Sequence, residues 1–232
     1  MRDLLYLHHH TPPLRHGDKW FEGDEGDDRL RYDRLIVQDR FPELRYGVNL
    51  REQSLFLQGR ITLTERISGI PTSVSLRLQF PDRYPKVEPF TVDLSNLFPL
   101  IAKRHYCQGG VCCLWLPPES KWSPKDPDGL LTYLDHVAIF FERQLLFDAG
   151  GREDWPWGER KHDIEGYIEY MRDRMNVDTS TFEVFLPLLA GDDLQKRALC
   201  PCRSGRLYRF CHRGIVHELR EFNHMLKRGV AA

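Results

Sequence analysis

Three prolines in nine residues, Pro81, Pro85 and Pro89, follow directly on the cleanest strand in the chain. Over 73–80, Val74, Leu76, Leu78 and Phe80 alternate with Ser73, Ser75, Arg77 and Gln79. That period of two gives a strand one buried and one wet face. The prolines behind it cannot sit in a central strand, because each lacks the N–H that a ladder needs. Residues 81–89 therefore read as a stiff crossover whose path is set by ring geometry more than by side-chain packing. Two further strand candidates come earlier, Arg45–Leu50 and Ser54–Thr64, with a turn over 68–72. Before them, acids opening at Asp24 and apolar Leu30, Leu35, Ile36 and Phe41 spell a helix. Pro42 ends it, since the residue before a proline avoids the helical region. One helix followed by an antiparallel meander reads as α+β.

Beyond the crossover comes an irregular stretch to Lys121-Trp-Ser-Pro124, then a second strong helix from Asp126 to about Phe147. Its apolar stripe is Leu130, Leu134, Val137, Phe141 and Leu145, and Asp148-Ala-Gly-Gly151 stops it. Further helices are expected over Asp163–Met175 and Phe182–Ala190, and after Gly214, where Ile215, Leu219, Phe222 and Leu226 form a stripe. Trp155 and Trp157, with Tyr167 and Tyr170, are expected to pack the third helix against the sheet. With 33 Lys+Arg against 34 Asp+Glu, the charge balance argues against a chain drawn wholesale onto nucleic acid or anionic lipid. No apolar run is long enough for a signal peptide or a membrane span, so a cytosolic, cytoplasmic protein is expected.

Six cysteines fall in two tight groups, Cys107, Cys112 and Cys113, then Cys200, Cys202 and Cys211. Clustering of this kind points to thiol or metal chemistry and not to a disulfide scaffold. The first group lies in an ordered run of motifs. Phe80-Pro-Asp-Arg-Tyr-Pro-Lys-Val-Glu-Pro89 precedes His105, then Gly110-Val-Cys-Cys113-Leu, then Trp122-Ser-Pro124 before a long helix. Over residues 24–147 this resembles the ubiquitin-conjugating enzymes, with their F-P-x-x-Y-P-x-x-x-P, H-P-N, G-x-x-C-L and W-S-P motifs. The resemblance implies an α+β fold with an N-terminal helix, an antiparallel β-meander and C-terminal helices. It also implies an acyltransferase activity. Cys113 would accept a ubiquitin-like or other protein C-terminus as a thioester from an activating enzyme and pass it to an acceptor, with His105 beside it. A thiol suits this because thiolates attack well near neutral pH and thioesters stay reactive toward amines. Cys112 falls on the preceding apolar position.

The chain departs from the family pattern. His105-Tyr106-Cys107 stands where the family has H-P-N, so the asparagine that supports the oxyanion or its loop is missing. His105, His136 or His162 could stand in as the polar group near the thioester. Relatives lacking that asparagine resemble bacterial conjugating-enzyme-like proteins encoded beside ubiquitin-like modifiers in anti-phage defence operons. Three competing readings stay open. The same fold could be an inert binding module holding a partner's tail. Cys113 could serve a thiol hydrolase with His136 or His162. Or His105, Cys107, Cys112 and Cys113 could form a zinc site.

The second group, Cys200-Pro-Cys202…Cys211-His212 with Ser204-Gly205 and Tyr208 inside, resembles the SEC-C motif. Three thiolates and an imidazole, Cys200, Cys202, Cys211 and His212, make a closed tetrahedral donor set for one structural zinc. In so short a segment metal binding is also folding energy. Arg203, Arg206, Arg209 and Arg213 surround the knuckle and could dock an acidic protein or nucleic acid, or simply be solvated. Arg29, Arg31, Arg34 and Arg40 match the helix that meets the activating enzyme in the conjugating family, though a plain exposed helix is equally compatible. The expected organisation is an arm over 1–23 carrying His8, His9 and His10, a conjugating-enzyme-like domain over 24–178, a linker helix over 179–192 and the zinc module over 193–232.

Overall fold

The computed structural model describes residues 21, 24–52, 54–64, 71–151, 155, 157, 160–161 and 163–227. The arm over 1–23 apart from Phe21, most of the turn over 68–72, and His162 lie outside them. Two compact units divide the chain. Among the described residues, those from 21 to 115 and from 119 to 157 build one; residues 116–118 and those from 160 to 227 build the other.

The first unit is α+β with an antiparallel sheet. Helix α1 (Asp24–Arg40) turns Leu30, Asp33 and Val37 inward, a stripe at three- and four-residue spacing. Strands β1 (Leu44–Asn49), β2 (Ser54–Thr64) and β3 (Pro71–Gln79) form the meander. Its register runs from Leu44 opposite Gly59 to Asn49 opposite Ser54, and from Phe56 opposite Gln79 to Thr64 opposite Pro71. Glycine is needed at position 59, because a Cβ there would stand 2.1 Å from the Glu43 carbonyl oxygen. Val74, Leu76 and Leu78 are fully buried, as the alternation requires. At about 1.5–3 kcal/mol for each large aliphatic buried, such a row decides which face is inside.

Strand β4 (Phe90–Asp93) pairs with β3 directly after the crossover, where the sequence suggested only irregular chain. Its inward residues are Thr91 and Asp93, which inverts the usual polarity and hides the period. Both are satisfied. Thr91 Oγ1 donates to Tyr133 Oη at 3.3 Å, and Tyr106 Oη donates to Asp93 Oδ2 at 2.7 Å. Two short strands, β5 (Tyr106–Cys107) and β6 (Val111–Cys112), complete the order β1-β2-β3-β4-β6-β5. Helix α2 (Gly129–Ala149) buries Leu130, Leu134, Val137 and Phe141 in the same core, with Leu145 at its edge. Helix, meander, short hairpin and helix follow in the order that the conjugating-family resemblance implies.

The second unit holds α3 (Asp163–Met175), α4 (Thr179–Ala190) and α5 (Arg213–Lys227). Asp178 caps α4, its carboxylate accepting the Thr181 N–H at 2.7 Å and the Ser180 hydroxyl at 2.8 Å. Met171 and Met175 of α3 pack with Phe182, Phe185 and Leu188 of α4, with Cys200 and Tyr208, and with Val216 and Leu219 of α5. The division therefore falls near residue 160 and not near 178, and the expected linker helix is part of a core. An amphipathic helix such as α3 shows in sequence that it needs a cover, not which neighbour supplies it. The side chains of Phe222 and Leu226 lie outside the described ones.

Candidate functional site around Cys113 and a candidate metal centre

The crossover is tied down by polar groups buried beneath it. Tyr84, 2% exposed, donates its hydroxyl to Asp33 Oδ2 at 2.6 Å. Arg29 donates from Nε to both Asp33 oxygens at 3.1 Å, from Nη1 to the Asp126 carbonyl at 3.0 Å and from Nη2 to Tyr84 Oη at 3.3 Å. The Trp122 indole donates to the Pro85 carbonyl at 2.8 Å, and its ring centroid lies 5.4 Å from that of Tyr84. Burial pushes the Asp33 carboxyl above its ordinary range, against the pull of Tyr84 and Arg29. Of the four arginines read as one face of α1, Arg31, Arg34 and Arg40 are exposed, whereas Arg29 pairs with buried Asp33 and holds the crossover.

Beside this scaffold the β5–β6 hairpin places the two adjacent cysteines on opposite sides. Cys112 faces the core at 6% exposure, and burial pushes its thiol well above the usual range. Cys113 continues the ladder, its N–H donating to the His105 carbonyl at 2.8 Å, and is half-buried. His105 takes the left-handed conformation, φ 58° and ψ 40°, and its ring lies 5.2 Å from Trp155. Cys113 opens on a cavity of about 130 Å³. His136, Ile139, Phe140 and Arg143 wall it from α2, and His105 and Trp155 complete it. The hairpin thus brings both sequence-predicted residues, Cys113 and His105, to one cleft. Arg143 and Trp155 escaped the sequence reading. Trp155 packs on His105, Phe140 and Phe147 in this unit. The signal for the wall was the spacing 136, 139/140, 143, a second stripe on α2 beside the apolar one.

His136 is held in place. Its Nδ1 lies 2.8 Å from the Thr132 carbonyl one turn earlier, which puts the ring proton on Nδ1. Trp115 meets the ring edge-on at 5.1 Å, and the Trp115 indole donates to the Glu88 carboxylate at 3.1 and 3.2 Å. Burial pushes the Glu88 carboxyl up, opposed by hydrogen bonds from Ser120 and Trp115. A buried acid with a raised pKa binds its proton more readily folded than unfolded. The penalty for its charge is therefore largest near neutrality and disappears as the pH falls through its folded pKa to the unfolded value near ~4.3. Glu88→Gln, which keeps an acceptor for Trp115 and reverses the Ser120 bond so that the amide donates to Ser120 Oγ, is expected to raise the urea midpoint at pH 7. The gain should shrink to nothing near pH 4; a midpoint that falls at pH 7 would show the charge itself to be required.

Among the described residues only one group of His, Cys, Asp and Glu side chains gathers as metal ligands: Cys200, Cys202, Cys211 and His212, with all four ligand atoms within 4.8 Å of one another. The alternative zinc site in the first group is thereby set aside, since Cys112 and Cys113 point to opposite faces. In the second group His212 Nδ1 lies 3.3 Å from both Cys200 Sγ and Cys211 Sγ, and Cys202 Sγ is 3.6 Å from Cys211 Sγ. Donors about 2.0–2.3 Å from a tetrahedral ion stand roughly 3.5–3.8 Å apart, so the set can hold a metal ion with little adjustment. His212 Nε2 lies 2.8 Å from the Met175 carbonyl, which places the ring proton there and turns Nδ1 to the thiols. Gly205, at φ 74°, turns the chain between Cys202 and Cys211, and buried Tyr208 packs under the knuckle. Arg203, Arg206, Arg209 and Arg213 are exposed around it, Arg209 lying over the Phe210 ring at 4.4 Å. Among the described residues no helix is long and apolar enough to cross a membrane.

No protein-family model matches the chain, and no curated protein does. Similar solved structures include a Vps23 UEV domain in complex with ubiquitin, 19% identical, covering 50% of this chain and 81% of that one at a TM-score of 0.34. Another is the yeast Vps23 UEV domain in complex with a Vps27 PSDP peptide, 19% identical, covering 60% and 90% at a TM-score of 0.37.

Proposed function

We propose that the first unit receives the C-terminal tail of a partner protein in the cleft beside Cys113, and that the thiol accepts that tail as a thioester, in the manner of a ubiquitin-conjugating enzyme. The carrying observation is a half-buried thiol on a cavity it shares with two imidazoles and a guanidinium. A guanidinium beside the thiol can neutralise charge that develops on an attacked carbonyl. An activating enzyme and a ubiquitin-like modifier are the partners this chemistry calls for. The second unit is proposed to fold around one structural zinc held by Cys200, Cys202, Cys211 and His212.

One observation favours a second reading, in which the cleft holds the tail with no covalent bond. Among the described residues no carboxamide lines the cavity, and the Cys113 N–H is already bonded to the His105 carbonyl. A synthetic peptide ending in Gly-Gly, supplied as its mercaptoethanesulfonate thioester, separates the two. Intact mass should show one thiol-reversible acyl adduct on the wild type and none on Cys113→Ala. Equal binding of the free-acid peptide by both, with no adduct on either, would establish the non-covalent module. Neither binding nor adduct would remove both readings.

A further inference from the structure

A thioester passed to an amine needs a proton acceptor, and among the described residues that line the cleft none is an acid. Of the two imidazoles on the cleft, His105 is 7% exposed with its ring packed on Trp155. His136 differs. Its Nδ1–H is taken by the Thr132 carbonyl, Trp115 fixes the ring from the side, and Nε2 remains as the ring's acceptor on a half-exposed residue lining the same cavity as Cys113. A ring pinned at one nitrogen to its own helix loses little freedom when the other nitrogen accepts a proton.

We infer that His136 is the general base for discharge of the Cys113 thioester to an amine, which deepens the proposed thioester reading and rests on it. The amine lone pair attacks the thioester carbonyl carbon, and a proton from the nitrogen passes to His136 Nε2. The C–S bond then breaks, and the imidazolium returns the proton to the departing Cys113 sulfur. An amide and a thiol result, with the histidine neutral again. Tail transfer onto a thiol acceptor differs, because the acceptor attacks as a thiolate already deprotonated in solution and needs no base in the cleft.

That difference supplies the test. Wild type and His136→Gln are loaded with the Gly-Gly peptide thioester, freed of excess probe, and chased either with free lysine or with glutathione. His136→Gln should load normally, discharge to glutathione at the wild-type rate, and discharge to lysine about 10²-fold more slowly. Equal lysine rates in the two proteins would overturn the assignment. So would equal slowing toward lysine and glutathione, which is the mark of a merely structural role. Failure of the wild type to load would instead strike at the thioester reading, and take this inference with it, at a step where His136 has no part.

Discussion

Cys202→Ser is expected to strip the zinc and unfold the second unit while leaving the first intact. Two physical terms combine. The described part of the unit is close to the ~70–80 residues below which a hydrophobic core alone rarely stabilises a fold. Its core is short of large aliphatics and draws on Cys200 and Tyr208, which are positioned by the knuckle. Against this, a structural zinc contributes on the order of 10–16 kcal/mol of apparent binding free energy, nearly all of it available only when the donors are assembled. Ser204 Oγ, 3.1 Å from Cys202 Sγ and 3.5 Å from Cys211 Sγ, hydrogen-bonds with thiols that become thiolates on the metal, so the loss at Cys202 reaches beyond one ligand. Metal analysis should find one zinc per chain in the wild type and in Cys113→Ala, and none in Cys202→Ser. Limited proteolysis should then cut between 160 and 227 in the variant and in chelator-treated wild type, and spare residues 71–151. A Cys202→Ser protein that resists the protease as well as the wild type would show that α3, α4 and α5 need no metal.

The elements that sequence exposed were those whose periodicity coincides with burial. The alternation of Val74, Leu76 and Leu78 gave β3 its face, the apolar stripe of α2 gave its length, and the Cys and His spacing gave the cluster of four candidate ligands. The elements it hid break that rule. Strand β4 buries Thr91 and Asp93, each satisfied by a tyrosine that only the folded chain brings near. Arg29 and Asp33 look like surface charge on α1 because an i, i+4 pair is commonest in solvent. Here the pair points inward, and its partners are fifty or more positions away in the chain. The cleft shows the same split. Cys113 and His105 were legible from their motif, and His136 was one of several candidates. Trp155 and Arg143 gave no signal of their own, since a tryptophan after a helix reads as core and an arginine on a helix reads as solvated. What a side chain faces across the fold is a long-range property, and local pattern does not encode it.

Asp33→Ala should be the most damaging single change in the first unit, at about 3–5 kcal/mol. The carboxylate is fully buried and accepts from the Tyr84 hydroxyl and from Arg29 Nε. Deleting it takes the Asp33 counter-charge from a largely buried guanidinium and the Asp33 acceptor from a buried phenol, and the desolvation cost of both remains. Tyr84→Phe removes only one hydrogen bond and should cost about 1–3 kcal/mol. Replacing all three together, as Arg29→Met, Asp33→Leu and Tyr84→Phe, removes the unsatisfied groups along with the attraction, and should recover much of the stability lost in Asp33→Ala. Urea unfolding followed by tryptophan fluorescence measures this, with an unchanged slope required for the comparison to hold. A loss below about 1 kcal/mol in Asp33→Ala would mean that water reaches Arg29. The consequence reaches the cleft through Trp122, whose ring packs at a tilt against Tyr84 and whose indole bonds to the Pro85 carbonyl. Below its unfolding transition the triple variant should keep its fold yet load the Gly-Gly thioester more slowly than wild type, because the crossover has lost the polar lock that sets its position relative to α2.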